Sequence, residues 1–196
     1  MIIYATKETF ERYKLKLPQS LSYPMKEVVQ AVLEKEGGNR MLEWGAKLFY
    51  FDRRKSLQLV HFESKLTLFL IDIKKNDLEN IGDYISGYLL ELYKDDHQMQ
   101  VALKRFFSES SIICFSKIVD RSIIATLNHT QISYAGDGYY FYEFIEDGIL
   151  KTIEINRDMN FNWMLTQKTN GKTEYFKAGE KFKELMLQHY GWEISR

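Results

Sequence analysis

Trp44-Gly45-Ala46-Lys47-Leu48-Phe49-Tyr50-Phe51, then Asp52-Arg53-Arg54-Lys55, then Ser56-Leu57-Gln58-Leu59-Val60-His61-Phe62 read in turn as a strand, a polar turn and a second strand. Leu66 to Ile73 supplies a third, so the stretch predicts an antiparallel meander. Helical patterns flank it. Upstream, Met1–Ala5 is a short apolar strand, and Thr6 can cap a helix with Glu8 and Glu11 near its positive end. Pro24 suits the first turn of the next helix, Met25, Val28, Val29, Val32 and Leu33 form its apolar stripe, and Gly37-Gly38 stops it. Downstream, Asn76 and Glu79 outline a capping box before a helix that buries Leu78, Ile81, Ile85, Leu89 and Leu92.

Residues 98–107 look helical, Ser111 to Lys117 reads as a strand, and Asp120-Arg121 opens a helix whose apolar side holds Ile123, Ile124 and Leu127. The aromatic segment Tyr139–Ile145 fits either a strand or a buried helix. Asn170-Gly171 is the strongest hairpin turn signal, and a last helix carries Phe182, Leu185, Met186 and His189. Strands and helices are interspersed, with several strands adjacent. The expected class is α+β, a mainly antiparallel sheet with several packed helices.

The 196 residues balance 27 basic against 27 acidic side chains, and the two halves balance separately. That removes the composition argument for nucleic acid or an anionic membrane. No Pro/Gly/Ser linker divides the chain, so one domain over 1–196 is expected, with a looser C-terminal lobe from about residue 138. The start lacks the apolar region of a signal peptide and no run is long enough to cross a bilayer, so the expected setting is cytoplasmic, with no membrane. One cysteine, Cys114, inside the apolar run Ile112–Phe115, is expected to be buried and inert.

A resemblance covers most of the chain. Ile3-Tyr4-Ala5-Thr6-Lys7, the block from Trp44-Gly45-Ala46-Lys47-Leu48 through Asp52-Arg53-Arg54-Lys55, and Thr67-Leu68-Phe69 resemble an uncharacterised bacterial family known only as a domain of unknown function. Asp77-Leu78 with Ile81-Gly82, Asp120-Arg121-Ser122 before Leu127-Asn128, and Ile155-Asn156-Arg157…Asn160 are similar as well. Phe161-Asn162 stands where that family tends to have Thr-Pro. The resemblance implies a shared fold and brings no reaction, ligand or catalytic residue.

The chemistry-bearing candidates are few. Arg53, Arg54 and Lys55 at the predicted turn can fork onto phosphates or carboxylates, and equally fit a solvated turn. Tyr139, Tyr140 and Tyr142 offer rigid amphipathic contact area, as interface tyrosines do. Their neighbours Glu143, Glu146 and Asp147 favour protein over nucleic acid, and the same segment fits a core strand with one aromatic face inside. Weaker anion or acid/base candidates are Arg121, His129, Asn156 and Arg157, the last two fitting a loop-tying role as well. The four histidines show no metal-ligand spacing, and nucleophile elbows and phosphate or dinucleotide loops are absent. No metal or cofactor is therefore expected.

Two function classes follow. The first is a non-enzymatic binding or interaction protein whose partner is another protein. A special form is a mobile-element-encoded inhibitor of a host defence factor, in the manner of anti-CRISPR proteins. The second is a metal-independent enzyme on a phosphodiester or small anion, using Arg53, Arg54 or Arg121 with His129. That second reading requires those side chains to converge in one cleft. The first is preferred, and the sequence leaves the oligomeric state open.

Overall fold

A computed structural model describes residues 1–109, 112–136, 139–169 and 171–191, with all their side chains except those of Tyr139 and Thr169. In chain order its elements are β1 (Ile2–Ala5), α1 (Lys7–Tyr13), α2 (Met25–Glu36), β2 (Glu43–Phe51), β3 (Arg54–His61), β4 (Thr67–Leu70), α3 (Ile81–Leu92) and α4 (His97–Glu109). Then come β5 (Cys114–Lys117), α5 (Arg121–Thr130), β6 (Ile145–Glu146), β7 (Ile149–Leu150), α6 (Thr152–Phe161), β8 (Leu165–Thr169), β9 (Lys172–Phe176) and α7 (Ala178–Tyr190). The protein is α+β.

The main sheet has five strands in the order β4-β3-β2-β1-β5. The meander β2-β3-β4 is antiparallel, as its sequence predicts. Strand β1, however, lies parallel to both β2 and β5, so the main sheet is mixed and not purely antiparallel. Parallel neighbours need helical crossovers. Helices α1 and α2 lie between β1 and β2, and β5 joins the sheet only after α3 and α4. The β8–β9 pair forms where the hairpin signal lies, with Asn170 itself outside the described residues.

Two-residue alternation sorts the meander onto two faces. Helix α5 packs on the face carrying Gly45 and Val60, seating Ile123 and Leu127 there. A Cβ at Gly45 would lie 2.5 Å from the Ile123 side chain, so that approach needs glycine. Most of the buried apolar residues, from Met1 to Met186, form one cluster that includes Trp44, Leu57, Leu59, Phe106 and Phe182. Cys114 is buried in a smaller cluster with Ile2, Val29 and Val32.

That small cluster corrects one expectation. Val29 and Val32 face it, but Met25 is 53% exposed and Val28 38%. The apolar surface beneath α2 is narrow, so only the middle of the predicted stripe is covered. Pro24 occupies the N-cap position, behind a cis Tyr23–Pro24 bond, rather than the first turn proper.

Capping chemistry divides likewise. The Thr6 and Asp120 side chains cap α1 and α5, each accepting from backbone N–H groups of the first turn. Asn76 caps nothing: residues Asn76–Asn80 form a 3-10 turn, and α3 begins only at Ile81. Strand β5 starts at Cys114, and Ser111 lies outside the described residues. The aromatic segment is neither strand nor α-helix. Tyr139–Phe144 is a 3-10 helix whose Phe141 sits edge-on to Phe49, Phe51 and Phe69.

Candidate functional site

Two charged surfaces mark the two ends of β3, about 23 Å apart at the usual strand rise. The first surrounds the β2–β3 turn. Phe51 pairs with Arg54, so the turn proper is only Asp52-Arg53. Both have positive φ, 47° and 63°. This is the primed hairpin geometry that matches strand twist and favours Asn-Gly or Asp-Gly. Arg53 stands where glycine fits best.

Three segments converge on this turn. Lys55 Nζ donates to the Arg12 carbonyl at 3.2 Å and lies 5.8 Å above the Tyr13 ring, tying the end of α1 to the hairpin. Arg54 pairs with Asp72 at 3.2 Å, and Ile73 N–H donates to the Lys55 carbonyl at 2.8 Å, which brings Lys74 and Lys75 alongside. Arg12, Lys14, Arg53, Arg54, Lys55, Lys74 and Lys75 are all exposed here. Against these seven cations stand Asp52, Asp72 and Asp77, with Glu143 and Glu146 exposed on the flank next to Tyr142. A chain of zero net charge therefore carries a basic pole.

The aromatic segment reaches the same place. Tyr142 packs against Phe51 and its hydroxyl donates to Asp52 of the turn. That bond raises the Tyr142 hydroxyl above its ordinary pKa. Tyr142 is 46% exposed and Tyr50, on β2, 47%. Tyr140 turns inward instead: its hydroxyl donates to Asp158 at 3.1 Å and its ring meets Tyr134 and Trp163. The Tyr139 side chain lies outside the described ones.

At the opposite end of β3 lies a cleft of about 1040 Å³ between α5 and the β8–β9 hairpin, with the β3–β4 turn beside it. Its lining includes Arg40, Phe62, Glu63, Lys65, Thr126, His129 and Lys168. Arg40 is fully engaged, with Glu63 at 3.2 Å, Asp120 at 3.1 Å and its guanidinium over the Phe62 ring. Burial works against the Asp120 carboxylate, but hydrogen bonds from Ser122, Ile123 and Arg40 hold its pKa at about 2.

The weaker candidates are scattered. His129 lines the cleft; Arg53 and Arg54 stand at the other end of the sheet, and Arg121, exposed at the start of α5, does not line it. Of the arginines named from the sequence, none lines the cleft with His129. Arg105, on α4, donates to the Tyr190 and Gly191 carbonyls. Asn156 and Asn160 are buried against the backbone of β4, and Arg157 donates to the Glu91 carbonyl while facing Glu154. These asparagines tie elements together and meet no solvent-facing ligand surface. Among the described residues no group of three or more His, Cys, Asp or Glu side chains is placed to hold a metal ion. No helix of the described residues is long and apolar enough to cross a membrane.

Sequence reasoning missed Arg12, Lys14, Lys74 and Lys75 at the pole, and Arg40 and Lys65 at the cleft. The Lys74-Lys75 pair after a predicted strand was a usable signal. Arg12 and Lys14 had none, because their position depends on where α1 lands.

Fold and surface together define an α+β protein with a mixed five-stranded sheet and a basic hairpin pole. The chain belongs to the family described as a domain of unknown function, DUF6933, whose model matches residues 2–181. Comparison with curated proteins and with solved structures gave no match.

Proposed function

We propose that the protein is a non-enzymatic interaction protein that binds an acidic surface of another protein through its basic pole. The observation that carries this reading is the Tyr142–Asp52 hydrogen bond, which joins the aromatic segment and the basic turn into one exposed surface. Arginine and tyrosine are the side chains that most often anchor protein interfaces. Arg53 has no carboxylate partner among the described residues, so its guanidinium is available to an incoming one.

Glu143 and Glu146 are exposed beside Tyr142. A phosphate backbone would meet repulsion on that flank, whereas a protein surface with charges of both signs can complement it. The cellular setting that goes with this reading is the bacterial cytoplasm. An inhibitor of a host defence factor is a special case of the same surface and makes the same mutational prediction.

The test is affinity capture from native extract, with mass spectrometry, comparing the wild-type chain with Arg53→Ala/Arg54→Ala. The proposal expects a stoichiometric protein partner that the double variant loses and that added salt weakens. A partner retained at full affinity by a folded double variant refutes it. So does capture of nucleic acid alone.

A further inference from the structure

The cleft at the far end of β3 has no part in that reading, and it has features that a solvated surface groove does not need. Its β3–β4 turn is locked from below. Buried His61 donates through Nε2 to the Met41 carbonyl at 3.0 Å, because a carbonyl can only accept. Nδ1 is then an acceptor, and it takes the Ser64 hydroxyl at 2.9 Å. Burial lowers the pKa of His61 to about 4, so this neutral tautomer persists at working pH. Leu66 N–H donates to the Ser64 hydroxyl at 3.1 Å and His61 N–H to the Leu66 carbonyl at 2.8 Å, closing the turn.

Lys65 sits on this rigid turn with φ 63°. A left-handed conformation is cheapest for glycine, and a lysine held there is a strained placement of a kind that clusters at functional sites. Its ammonium is half-buried in the cleft, where it donates to the Phe62 carbonyl at 3.0 Å. Among the described residues no carboxylate comes within 4.0 Å of it. The nearby acids are spent, Glu63 and Asp120 both pairing with Arg40.

Cations surround it instead. Lys181 is held by Gln167 at 2.9 Å and over the Phe176 ring, and Lys168 stands exposed on the rim. Burial first, then the Arg40 and Lys181 charges, push Lys65 down to about 8, while Asp120 and Glu63 oppose the shift. An anion at this position would relieve both the repulsion and the missing counter-charge.

The rest of the lining defines the ligand's body. Phe62, Ala125, Met164, Leu165 and Phe176 are apolar. On the α5 wall the Thr126 hydroxyl donates to the Ser122 carbonyl, and the Ser122 hydroxyl to Asp120, so both oxygens face outward only as acceptors. His129 has no hydrogen-bond partner among the described residues. Lysine supplies donors at one side, and hydroxyl acceptors with apolar walls occupy the other. The volume lies at the upper end of the usual range for small-molecule sites.

We propose that this cleft binds a small organic anion, its carboxylate, phosphate or sulfonate group on the Lys65 ammonium and its apolar body between α5 and the β8–β9 hairpin. The site is independent of the basic pole.

The test is a fluorescence titration of the full chain with 8-anilinonaphthalene-1-sulfonate, an aryl sulfonate, beside its neutral analogue N-phenyl-1-naphthylamine. Saturable sulfonate binding is expected, weakened at least tenfold in Lys65→Met and within threefold of wild type in Lys65→Arg. Arg53→Ala/Arg54→Ala should leave it unchanged, which separates failure here from failure of the partner-binding reading. The neutral analogue should not distinguish wild type from Lys65→Met. Equal sulfonate affinity in wild type and a folded Lys65→Met, or no saturable binding, overturns the proposal. Should Lys65→Met not fold, the wild-type protein decides. Its lysines are reductively methylated with a carbon-13 label, and the Lys65 resonance is assigned by its loss in Lys65→Arg. Saturating sulfonate must then raise the apparent pKa of Lys65 by one unit or more, a tenfold gain in proton affinity. An unmoved titration also overturns the proposal.

Discussion

Asn160 and Thr67 form a closed pair between a helix and a strand edge. The Asn160 Oδ1 accepts from the Thr67 N–H at 2.8 Å, and its Nδ2 donates to the Thr67 carbonyl at 2.6 Å. One helical turn earlier, Asn156 does the same to Phe69, at 2.6 and 3.1 Å. Four residues of helix rise about 6 Å, and two residues of strand about 6.6 Å. Helix α6 thereby takes the place of a sixth strand along β4, and it blocks that edge against pairing with another chain.

Truncating Asn160 should be expensive, because it leaves a buried N–H and a buried carbonyl without partners. At about 1–3 kcal/mol for each of the two orphaned groups, Asn160→Ala should lose roughly 2–6 kcal/mol in urea unfolding. Asn160→Gln should not rescue it, since the longer side chain moves the amide off the Thr67 backbone. A loss under about 0.5 kcal/mol would show that water replaces the amide.

How far the sequence reached is clear from these asparagines. The spacing Asn156…Asn160 was visible, but whether it faces a ligand, a loop or a strand edge depends on which edge α6 meets. The meander was legible because two-residue alternation and a short polar turn are local signals. The parallel partners of β1 were not, since Ile2 meets Glu43 on one side and Cys114 on the other across long crossovers. For the same reason Arg53 and Arg54 could be named from the sequence, while Arg12 and Lys14 could not. Lys65 was hidden by its own chemistry: nothing in the residues Glu63-Ser64-Lys65 announces a left-handed lysine over a buried histidine.

The Asp120 carboxylate gives an acid-side prediction. Its folded pKa of about 2 lies below the ordinary value of 3.8. A depressed acid stabilises the fold above its ordinary pKa and loses that contribution as pH falls through the folded value. Asp120→Asn keeps the helix cap and removes the charge facing Arg40. The melting-temperature gap between wild type and this variant should be constant above about pH 5 and close between about pH 4 and 2. A gap unchanged at pH 2 contradicts the ion pair with Arg40.

Lys65 gives the opposite limb. Its folded pKa of about 8 lies below the ordinary 10.5, so in that window the unfolded chain binds more protons. Stability relative to Lys65→Met should therefore rise between pH 8 and 10.5 and be flat below pH 7. Thermal melts of both proteins across that range check it. A flat difference would mean that the ammonium swings clear of Arg40 and Lys181.

Cys114 should be inert. Burial pushes its thiol up to about 11, and the side chain is enclosed with Ile2, Val29 and Val32. Ellman's reagent should label it at least a hundredfold more slowly in native buffer than in urea, because thiolate content and access both fall. Stoichiometric labelling of the native protein within minutes contradicts this placement.

Arg53→Gly separates folding from function at the basic pole. With φ 63° at the second position of a two-residue turn, Arg53 occupies backbone that glycine adopts without strain. Relief of that strain, set against glycine's larger unfolded-state entropy, should leave stability unchanged or raise it by up to about 1 kcal/mol. The same change deletes a cation from the surface that Tyr142 and Asp52 share with the turn. Loss of a central interface arginine costs about 2 kcal/mol or more in binding, which is a thirtyfold weaker complex. A higher melting point together with a lost partner is the signature of a residue kept for contact. Arg53→Lys should retain most of the charge effect and none of the gain in stability. If Arg53→Gly unfolds at lower temperature, the guanidinium is structural; if it melts higher and binds as well as wild type, the pole is only a solvated turn.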